Sequence, residues 1–277
     1  MNIQLSIPNG KTALFLLSVL QLFACQKTDF GPLQKLSVEE LVQRHQDLSF
    51  SLSETTFRSM DGHAVTEEEV AALKEGVLAI DYYVDSLGII REGIVRKANF
   101  EDYIARILIA NIDFDPTKDV PVLSFNCDSL QYQMDDVYRF QQEDWSGYEE
   151  SNPLGFFAFE QAKIVSIVNQ CGFPDVELLG KKGLTTFWLM IQHSKAPLMA
   201  HYYLEIKRLV KAGDLNEQTL ALTTDRLLMN NGYLQVYGSQ LLNGELYPIE
   251  NAETVDQRRD SLGLGTLAEY LEGVKGG

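Results

Sequence analysis

The chain has 277 residues, of which 45% are hydrophobic and 22% charged, and its 39 acidic and 23 basic residues give a net charge of −16. This hydrophobic content predicts a folded protein and excludes a disordered chain. The acidity argues against a nucleic-acid partner, which is bound through basic patches, and against electrostatic docking on anionic lipid headgroups. The length allows one large domain or two small ones.

The N-terminus predicts a lipoprotein signal peptide. Residues 12–24 form an apolar stretch after Lys11, too short to span a membrane but as long as the apolar part of a signal peptide. Residues 22–25, Leu-Phe-Ala-Cys, resemble the lipobox at which bacterial lipoproteins are cleaved and lipidated. We therefore expect residues 1–24 to be removed and the protein to be held on the membrane by lipid on Cys25. An ordinary signal peptide with a chance cysteine is the alternative.

The residues after Cys25 indicate where in the cell envelope the protein is sorted and how its folded part is joined to the lipid. Residues 26–29 partly resemble the Gln-Lys-acidic signal that sends some lipoproteins to the outer cell surface, although Thr28 departs from it. We expect an outer-membrane location in the cell envelope, with the periplasmic and surface orientations both open. Residues 25–36 lack a periodic apolar pattern and predict a tether.

Three helix starts are predicted in residues 37–127. Two are capping boxes, in which a Ser or Thr and a Glu three residues later satisfy each other's free backbone N–H groups, and the third is an Asn cap. After the second start, an apolar stripe continues at helical spacing to Val84. The region is therefore predicted to be an N-terminal helical extension, bounded softly at about residues 115–127. The three starts are Ser37, Thr66 and Asn99.

Residues 128–277 are predicted to form a helical domain with one β-hairpin, at about residues 233–249. The hairpin is indicated by alternating residues around Asn243-Gly244, a pair typical of two-residue turns. Gly and Pro residues mark several helix ends. The predicted helices are 128–143, 154–172, 182–193, Pro197 to Gly213, a helix capped by Asp214 or Asn216 that ends at Asn230, and short helices after Thr254. The predicted fold class is mainly α.

Two cysteines remain after Cys25 is assigned to lipid. In an oxidising envelope, Cys127 and Cys171 could form one disulfide, or they could be two separate buried thiols. Their spacing alone favours neither alternative.

Several familiar site patterns are incomplete. The acidic segment at 113–124 lacks the glycine and glutamate of a calcium loop. His193 and His201 are the only near pair of histidines, and a zinc site would need further ligands that the sequence does not nominate. No metal and no cofactor are therefore predicted.

A set of polar and glycine residues recurs in a fixed order through the C-terminal half. Together they resemble the uncharacterised family called domain of unknown function 6624, over about residues 128–272. The resemblance implies kinship and no particular reaction. The chain departs from the family pattern where Lys195 replaces an Asp and Ala200 replaces a Gln. The matching residues are Gly172-Phe173-Pro174, Gly180, Gln192-His193, Thr224-Asp225-Arg226, residues 235–240, Pro248-Ile249-Glu250, residues 255–259 and Gly263.

The residues that match the family pattern are the candidates for chemistry. Gln235 and Tyr237 are predicted to share one face of the hairpin's first strand, directed towards His193 and Asp225. An imidazole oriented by a carboxylate could act as an acid or base. The catalytic candidates are His193, Asp225 and Tyr237, and the binding candidates are Arg226, Gln235, Gln240, Arg258 and Arg259.

Three functional hypotheses follow. The favoured one is a binding or interaction module whose partner is a polar small molecule, a glycan or a protein. The second is a metal-independent hydrolase with His193 as general base. The third is a structural scaffold, in which Asp225 pairs internally with Arg258 or Arg259 and fixes the hairpin on the helices.

Overall fold

A computed structural model describes residues 30–134 and 156–276 of the chain. The predicted signal peptide, Cys25 and most of the predicted helix 128–143 lie outside these residues. Within them, no helix is long and apolar enough to cross a membrane. The chain divides into two compact units, Met1–Ile112 and Asp113–Gly277. As predicted, the fold is mainly α.

The N-terminal unit contains a four-stranded sheet in the order β1-β3-β4-β2. Strands β3 and β4 pair antiparallel at its centre, β1 pairs antiparallel with β3, and β2 pairs parallel with β4. Helix α1 packs against α3. The elements are β1 Gln34–Lys35, α1 Val38–Gln46, β2 Thr56–Ser59, α2 Glu67–Lys74, β3 Leu78–Val84, β4 Ile90–Lys97 and α3 Phe100–Ala110.

The sheet corrects the prediction of a purely helical extension. All three predicted helix starts are confirmed, and each is a capping box. However, α2 ends at Lys74, Gly76 adopts a φ of 81°, and the apolar stripe beyond it forms β3. The tether prediction is also too long, because its last residues form β1. The stripe was misleading because its spacing fits a helix, whereas the glycine within it stops one.

The C-terminal unit is built on four successive helices. Helix α5 contacts α4, α6 and α7, and α6 also packs on α7. The predicted helix ends at Gly172 and Gly213 and the predicted first-turn Pro197 are confirmed. The main helices are α4 Phe156–Cys171, α5 Val176–Gln192, α6 Ala196–Ala212 and α7 Glu217–Asn230, followed by α8 Val255–Asp260 and α9 Leu267–Gly276.

Cys127 and Cys171 form a disulfide, with their Cα atoms 5.6 Å apart. The bond joins the segment before α4 to the end of that helix. Side chains of α4 hold the same segment, since Ser166 Oγ accepts from the Leu123 amide at 2.9 Å and Gln170 Oε1 accepts from the Phe125 amide at 3.0 Å. These contacts explain why the unit begins before residue 127.

The predicted hairpin is present but short. Strands β5 (Leu241–Leu242) and β6 (Glu245–Leu246) pair around Asn243 and Gly244, whose φ angles of 54° and 80° suit a tight turn. Residues 236–240 are not part of a strand. The prediction that Gln235 and Tyr237 lie on the first strand of the hairpin is therefore wrong.

Candidate functional site

Asp225 of α7 binds the backbone of residues 236–239. Its carboxylate is fully buried and accepts hydrogen bonds from the amides of Val236 at 2.7 Å, Tyr237 at 3.0 Å and Ser239 at 2.9 Å. Burial raises the pKa of Asp225, while the amide donors oppose that rise. Both carboxylate oxygens are thus committed to the backbone.

Two arginines of α8 hold the carbonyl groups of the same segment. Arg258 Nε donates to the Val236 carbonyl at 2.9 Å, and Arg259 Nη1 donates to the Tyr237 carbonyl at 2.8 Å. The scaffold hypothesis paired Asp225 directly with one of these arginines. Instead, Asp225 and Arg258 bind opposite sides of the peptide unit between residues 236 and 237, and Arg259 binds the next carbonyl. The carboxylate and the two guanidinium groups therefore bond to the neutral backbone of residues 236–239.

Gln235 and Gln240 close this loop at its base. The Gln240 amide donates to Gln235 Oε1 at 2.8 Å, and Gln235 Nε2 donates to the carbonyls of Gln240 at 3.1 Å and Tyr247 at 2.6 Å. Gln235 is fully buried. We call residues 235–240 the clamped loop.

Gly238 is required inside the clamped loop. Its φ is 69°, a left-handed conformation that favours glycine. A Cβ atom there would lie 2.7 Å from Leu267 Cδ1 and 2.9 Å from Ile249 Cδ1. Beside it, the Tyr270 hydroxyl donates to the Ser239 carbonyl at 2.8 Å. Steric fit and hydrogen bonding thus select one conformation of the loop.

The clamped loop positions Arg226. Arg226 Nε donates to Gln240 Oε1 at 2.9 Å, and its Nη1 donates to the backbone carbonyl of Gln192 at 2.9 Å. The side chain is half-buried, and this burial lowers its pKa. Among the described residues, no carboxylate forms a salt bridge with Arg226, and its Nη2 donates no hydrogen bond. The guanidinium is oriented by neutral acceptors alone.

His193 lies at the C-terminal end of α5, next to the residue that Arg226 contacts. Burial, and secondarily the charge of Arg226, lower the pKa of His193 to about 4. The imidazole is therefore neutral near pH 7. The predicted pairing of His193 with Asp225 is absent, because the carboxylate of Asp225 is bonded to the clamped loop.

Gln192 supplies a buried acceptor at the same place. Its Nε2 donates to the Leu222 carbonyl at 3.1 Å, whereas its Oε1 has no hydrogen-bond partner within the described chain. The residue is 3% exposed. Buried polar atoms are nearly always bonded, so this oxygen is an exception beside Arg226.

The structure therefore separates the predicted site residues into two groups. Asp225, Gln235, Arg258 and Arg259 bond to backbone within the domain, and Tyr237 is buried beside them. His193, Arg226 and Gln240 lie together at the end of α5, where the first two are half-buried. His193 and Arg226 can interact with a ligand without unfolding the loop, whereas Gln240 is 3% exposed and supports Arg226.

The departures from the family pattern are local. Lys195 is the N-cap residue of α6 and makes no side-chain capping bond, so an Asp at this position would serve as a helix cap. Ala200 is buried in α6. His201 packs edge-on against Tyr202, with ring centroids 4.7 Å apart, and α5 and α6 are separate helices. Within the described ranges, no group of three or more His, Cys, Asp and Glu residues is arranged to hold a metal.

Sequence reasoning missed an ion pair inside the domain. Glu160 and Lys163 of α4 form an i,i+3 salt bridge, with Glu160 fully buried and Lys163 7% exposed. The available signal was a Glu and a Lys spaced three apart within an otherwise apolar helix. Such pairs are usually found on exposed helix faces, which is why this one was not nominated.

A comparison with family models finds a match within the C-terminal unit. Residues 152–276 match the model of a family of unknown function, DUF6624. Searches of curated proteins and of solved structures returned no match. The family match covers the clamped loop, the arginines of α8 and the group around His193.

Proposed function

We propose that this protein is a lipid-anchored component of the outer membrane of the cell envelope, whose C-terminal domain is a binding module for a polar ligand with an anionic group. The anion would bind Arg226, beside His193 and the free oxygen of Gln192. The observation that supports this is a half-buried guanidinium held only by neutral acceptors.

The argument for an anionic ligand is electrostatic. Placing a cation in a partly desolvated position is unfavourable unless an opposite charge compensates it. The pKa of Arg226 is lowered by burial, which is the sign of that cost. In a chain with 39 acidic residues, none of the described ones is used to neutralise it. A carboxylate or phosphate group would do so, with the planar guanidinium offering two parallel donors.

The scaffold hypothesis accounts for the clamped loop and complements the binding proposal. Asp225, Arg258 and Arg259 fix the loop, and the loop fixes Gln240, which orients Arg226. Recognition is sharper when the contacting group is held in advance by such supporting residues.

The hydrolase hypothesis has less support. A general base works best when its pKa is close to the working pH, and the pKa of His193 is about 4. Asp225 is also committed to backbone amides, so it cannot orient the imidazole.

The anchoring part of the proposal is supported by the lipobox-like residues 22–25 and by the Cys127–Cys171 disulfide. Disulfides persist in oxidising compartments such as the envelope. Closing a loop of this length, with a sequence separation of 44, would stabilise the unit by about 4 kcal/mol. Mass spectrometry of the N-terminal peptide should find acyl chains on Cys25, and Cys25→Ser should move the protein from the membrane to the soluble fraction. An unmodified, membrane-free wild type would contradict anchoring.

The binding part can be tested at Arg226 itself. The Nε–Hε signal of Arg226, assigned by its loss in Arg226→Gln, should shift saturably in NMR titrations with sodium phosphate or sodium acetate at constant ionic strength. The matched control is Arg208→Gln, which removes an exposed arginine that bonds Glu205 at 2.8 Å. The control should leave the titration unchanged. Linear shifts, or the same overall anion affinity in Arg226→Gln, would contradict the proposal.

A further inference from the structure

One end of the N-terminal sheet carries exposed apolar side chains at the point where the chain enters the unit. This is the end formed by the β3–β4 connection at residues 85–89, and we call it the turn end. Gln34 pairs with Val84, so the residues before Gln34 run towards the turn end. Phe30 lies there, with the Arg91 guanidinium 4.4 Å from the centre of its ring.

Two leucines project from the same end. Leu87, within the β3–β4 connection, is 79% exposed. Leu48 follows α1 and is 91% exposed. The end of α1 reaches the turn end, because Arg44 Nη2 lies 3.4 Å from the position that a Cβ on Gly88 would occupy.

Leu48 is also unfavourable for the fold itself. Its φ is 58°, in the left-handed region, just after the end of a helix. Glycine or asparagine usually occupies such a position, since the Cβ atom crowds the following carbonyl oxygen there and asparagine can offset this by local hydrogen bonds. A leucine that is strained and almost wholly in solvent adds little to the packing of the unit. Its apolar side chain is therefore available for contact with a partner outside the unit.

The position of Cys25 indicates which partner this is. Phe30 is five positions after Cys25, and a chain of that length spans at most about 18 Å. A lipid on Cys25 would hold the turn end close to the bilayer, where even weak apolar contacts become effective through high local concentration. The charges at this end are largely paired, with Arg91 bonded to both Asp85 and Glu54. This suits zwitterionic headgroups better than anionic ones.

We propose that the turn end, with Phe30, Leu48 and Leu87, inserts into the headgroup layer of the membrane that holds the lipid on Cys25. The inference depends on the anchoring part of the proposed function and is independent of the binding site at Arg226. It assigns the N-terminal unit a membrane-facing end.

Two exposed apolar residues at the opposite end of the sheet provide matched controls. Met60, directly after β2, is 70% exposed, and Val77, directly before β3, is 52% exposed. The register supports this location, because Ser59 pairs with Val95 and Leu78 with Lys97, both far along β4 from the turn end.

The test places a fluorophore at each end of the sheet in the lipidated full chain. With Cys25 acylated and the other two cysteines bonded to each other, a single introduced cysteine can be labelled specifically. The variants are Leu48→Cys, Leu87→Cys, Met60→Cys and Val77→Cys, each in phosphatidylcholine vesicles that contain brominated phosphatidylcholine as a quencher. Quenching should be at least about twofold stronger at positions 48 and 87 than at 60 and 77, because groups at the headgroup boundary lie within reach of the acyl chains.

The outcomes separate this proposal from the anchoring on which it depends. A chain without lipid on Cys25 would overturn both. A lipidated, vesicle-bound chain with equal quenching at all four positions would overturn only the membrane-facing end and would leave a protein partner as the occupant. In addition, Leu48→Gly should raise the urea midpoint of the unit, whereas a lower midpoint would show that Leu48 serves the fold and would contradict the proposal.

Discussion

One arginine–aspartate group in each unit illustrates two different uses of charge. In the N-terminal unit, Arg96 bridges the carboxylates of Asp81 and Asp102, with distances of 2.6 and 2.7 Å. In the C-terminal unit, Asp225 and Arg259 both bind peptide groups of the clamped loop instead of each other. Charge pairs of the first kind neutralise each other, and the more exposed ones, such as Arg58 with Glu92, contribute little to stability, whereas buried charges of the second kind leave peptide groups unsatisfied when they are removed. The burial of a charged side chain, more than the number of charged side chains, therefore decides how much stability each unit loses when one is replaced.

The largest effect should come from Asp225→Ala. Three buried amides would lose their acceptor, and we expect the free energy of unfolding to fall by about 4 kcal/mol. Asp225→Asn retains one acceptor oxygen and should lose about 2 kcal/mol. Urea denaturation followed by tryptophan fluorescence reports this unit, since Trp145 and Trp188 both belong to it. A loss below about 1 kcal/mol for the alanine variant would show that the loop does not depend on the carboxylate.

Gly238→Ala should be the next most severe change. The left-handed φ and the close contacts with Leu267 and Ile249 together should cost about 3 kcal/mol. Gly213→Ala is the matched control, because Gly213 has a φ of 82° and no atom within 4 Å of the added Cβ. It should cost about 1 kcal/mol, from backbone strain alone. Equal losses in the two variants would remove steric fit from the explanation.

The burial of His193, with the charge of Arg226 as the smaller cause, should appear in the pH dependence of the C-terminal unit. The pKa of His193 falls from 6.5 to about 4 on folding, so the unfolded chain binds a proton at a pH where the folded one does not. Stability is therefore present above pH 6.5 and lost as the pH falls towards 4. Allowing for partial exposure, this loss should be about 2 kcal/mol.

Two measurements test that link. In His193→Gln, the loss of stability between neutral and acidic pH should shrink by the same amount. In Arg226→Gln, NMR titration should show a higher pKa for His193 than in the wild type, because the charge of Arg226 contributes to the lowering. A wild-type imidazole that titrates at its ordinary value would contradict both expectations.

The smallest effect should come from Arg58→Gln in the N-terminal unit. Arg58 Nε lies 2.5 Å from Glu92 Oε1, but the two side chains are 41% and 25% exposed. Such a pair contributes about 0–1 kcal/mol. Hydrogen exchange of the β3 and β4 amides would report it, and a loss of more than about 2 kcal/mol would break the contrast between the two units.

The parts of the fold that sequence predicted are those specified by neighbouring residues. The capping boxes at Ser37 and Thr66, the glycine end of α6 and the Asn243-Gly244 turn each depend on a few adjacent positions. The central β3–β4 pair was missed because the apolar stripe through β3 fits helical spacing, and the β2–β4 pair was missed because it joins residues far apart in the chain. For the same reason, sequence could name Asp225 without showing that it binds amides 11 to 14 positions away.

The sequence predicted which residues lie in the candidate site but not which of them support the loop and which can contact a ligand. The family pattern grouped His193, Asp225, Arg226 and Gln235 without distinguishing buried supports from half-exposed contacts. That distinction depends on burial, which follows from how α5, α7 and the clamped loop pack together. The sequence could not indicate that Gln192 Oε1 lacks a hydrogen-bond partner, because this depends on how the side chain is buried.

The disulfide between Cys127 and Cys171 gives this protein a particular response to proteases. A single cut anywhere in the sequence between the two cysteines would leave both fragments covalently joined. The cleaved chain would migrate as one species on a gel without reductant and as two with it. If the proposed lipid on Cys25 anchors the chain, the C-terminal helices would stay attached to the anchored fragment, so cleavage would release nothing into solution until the disulfide was reduced.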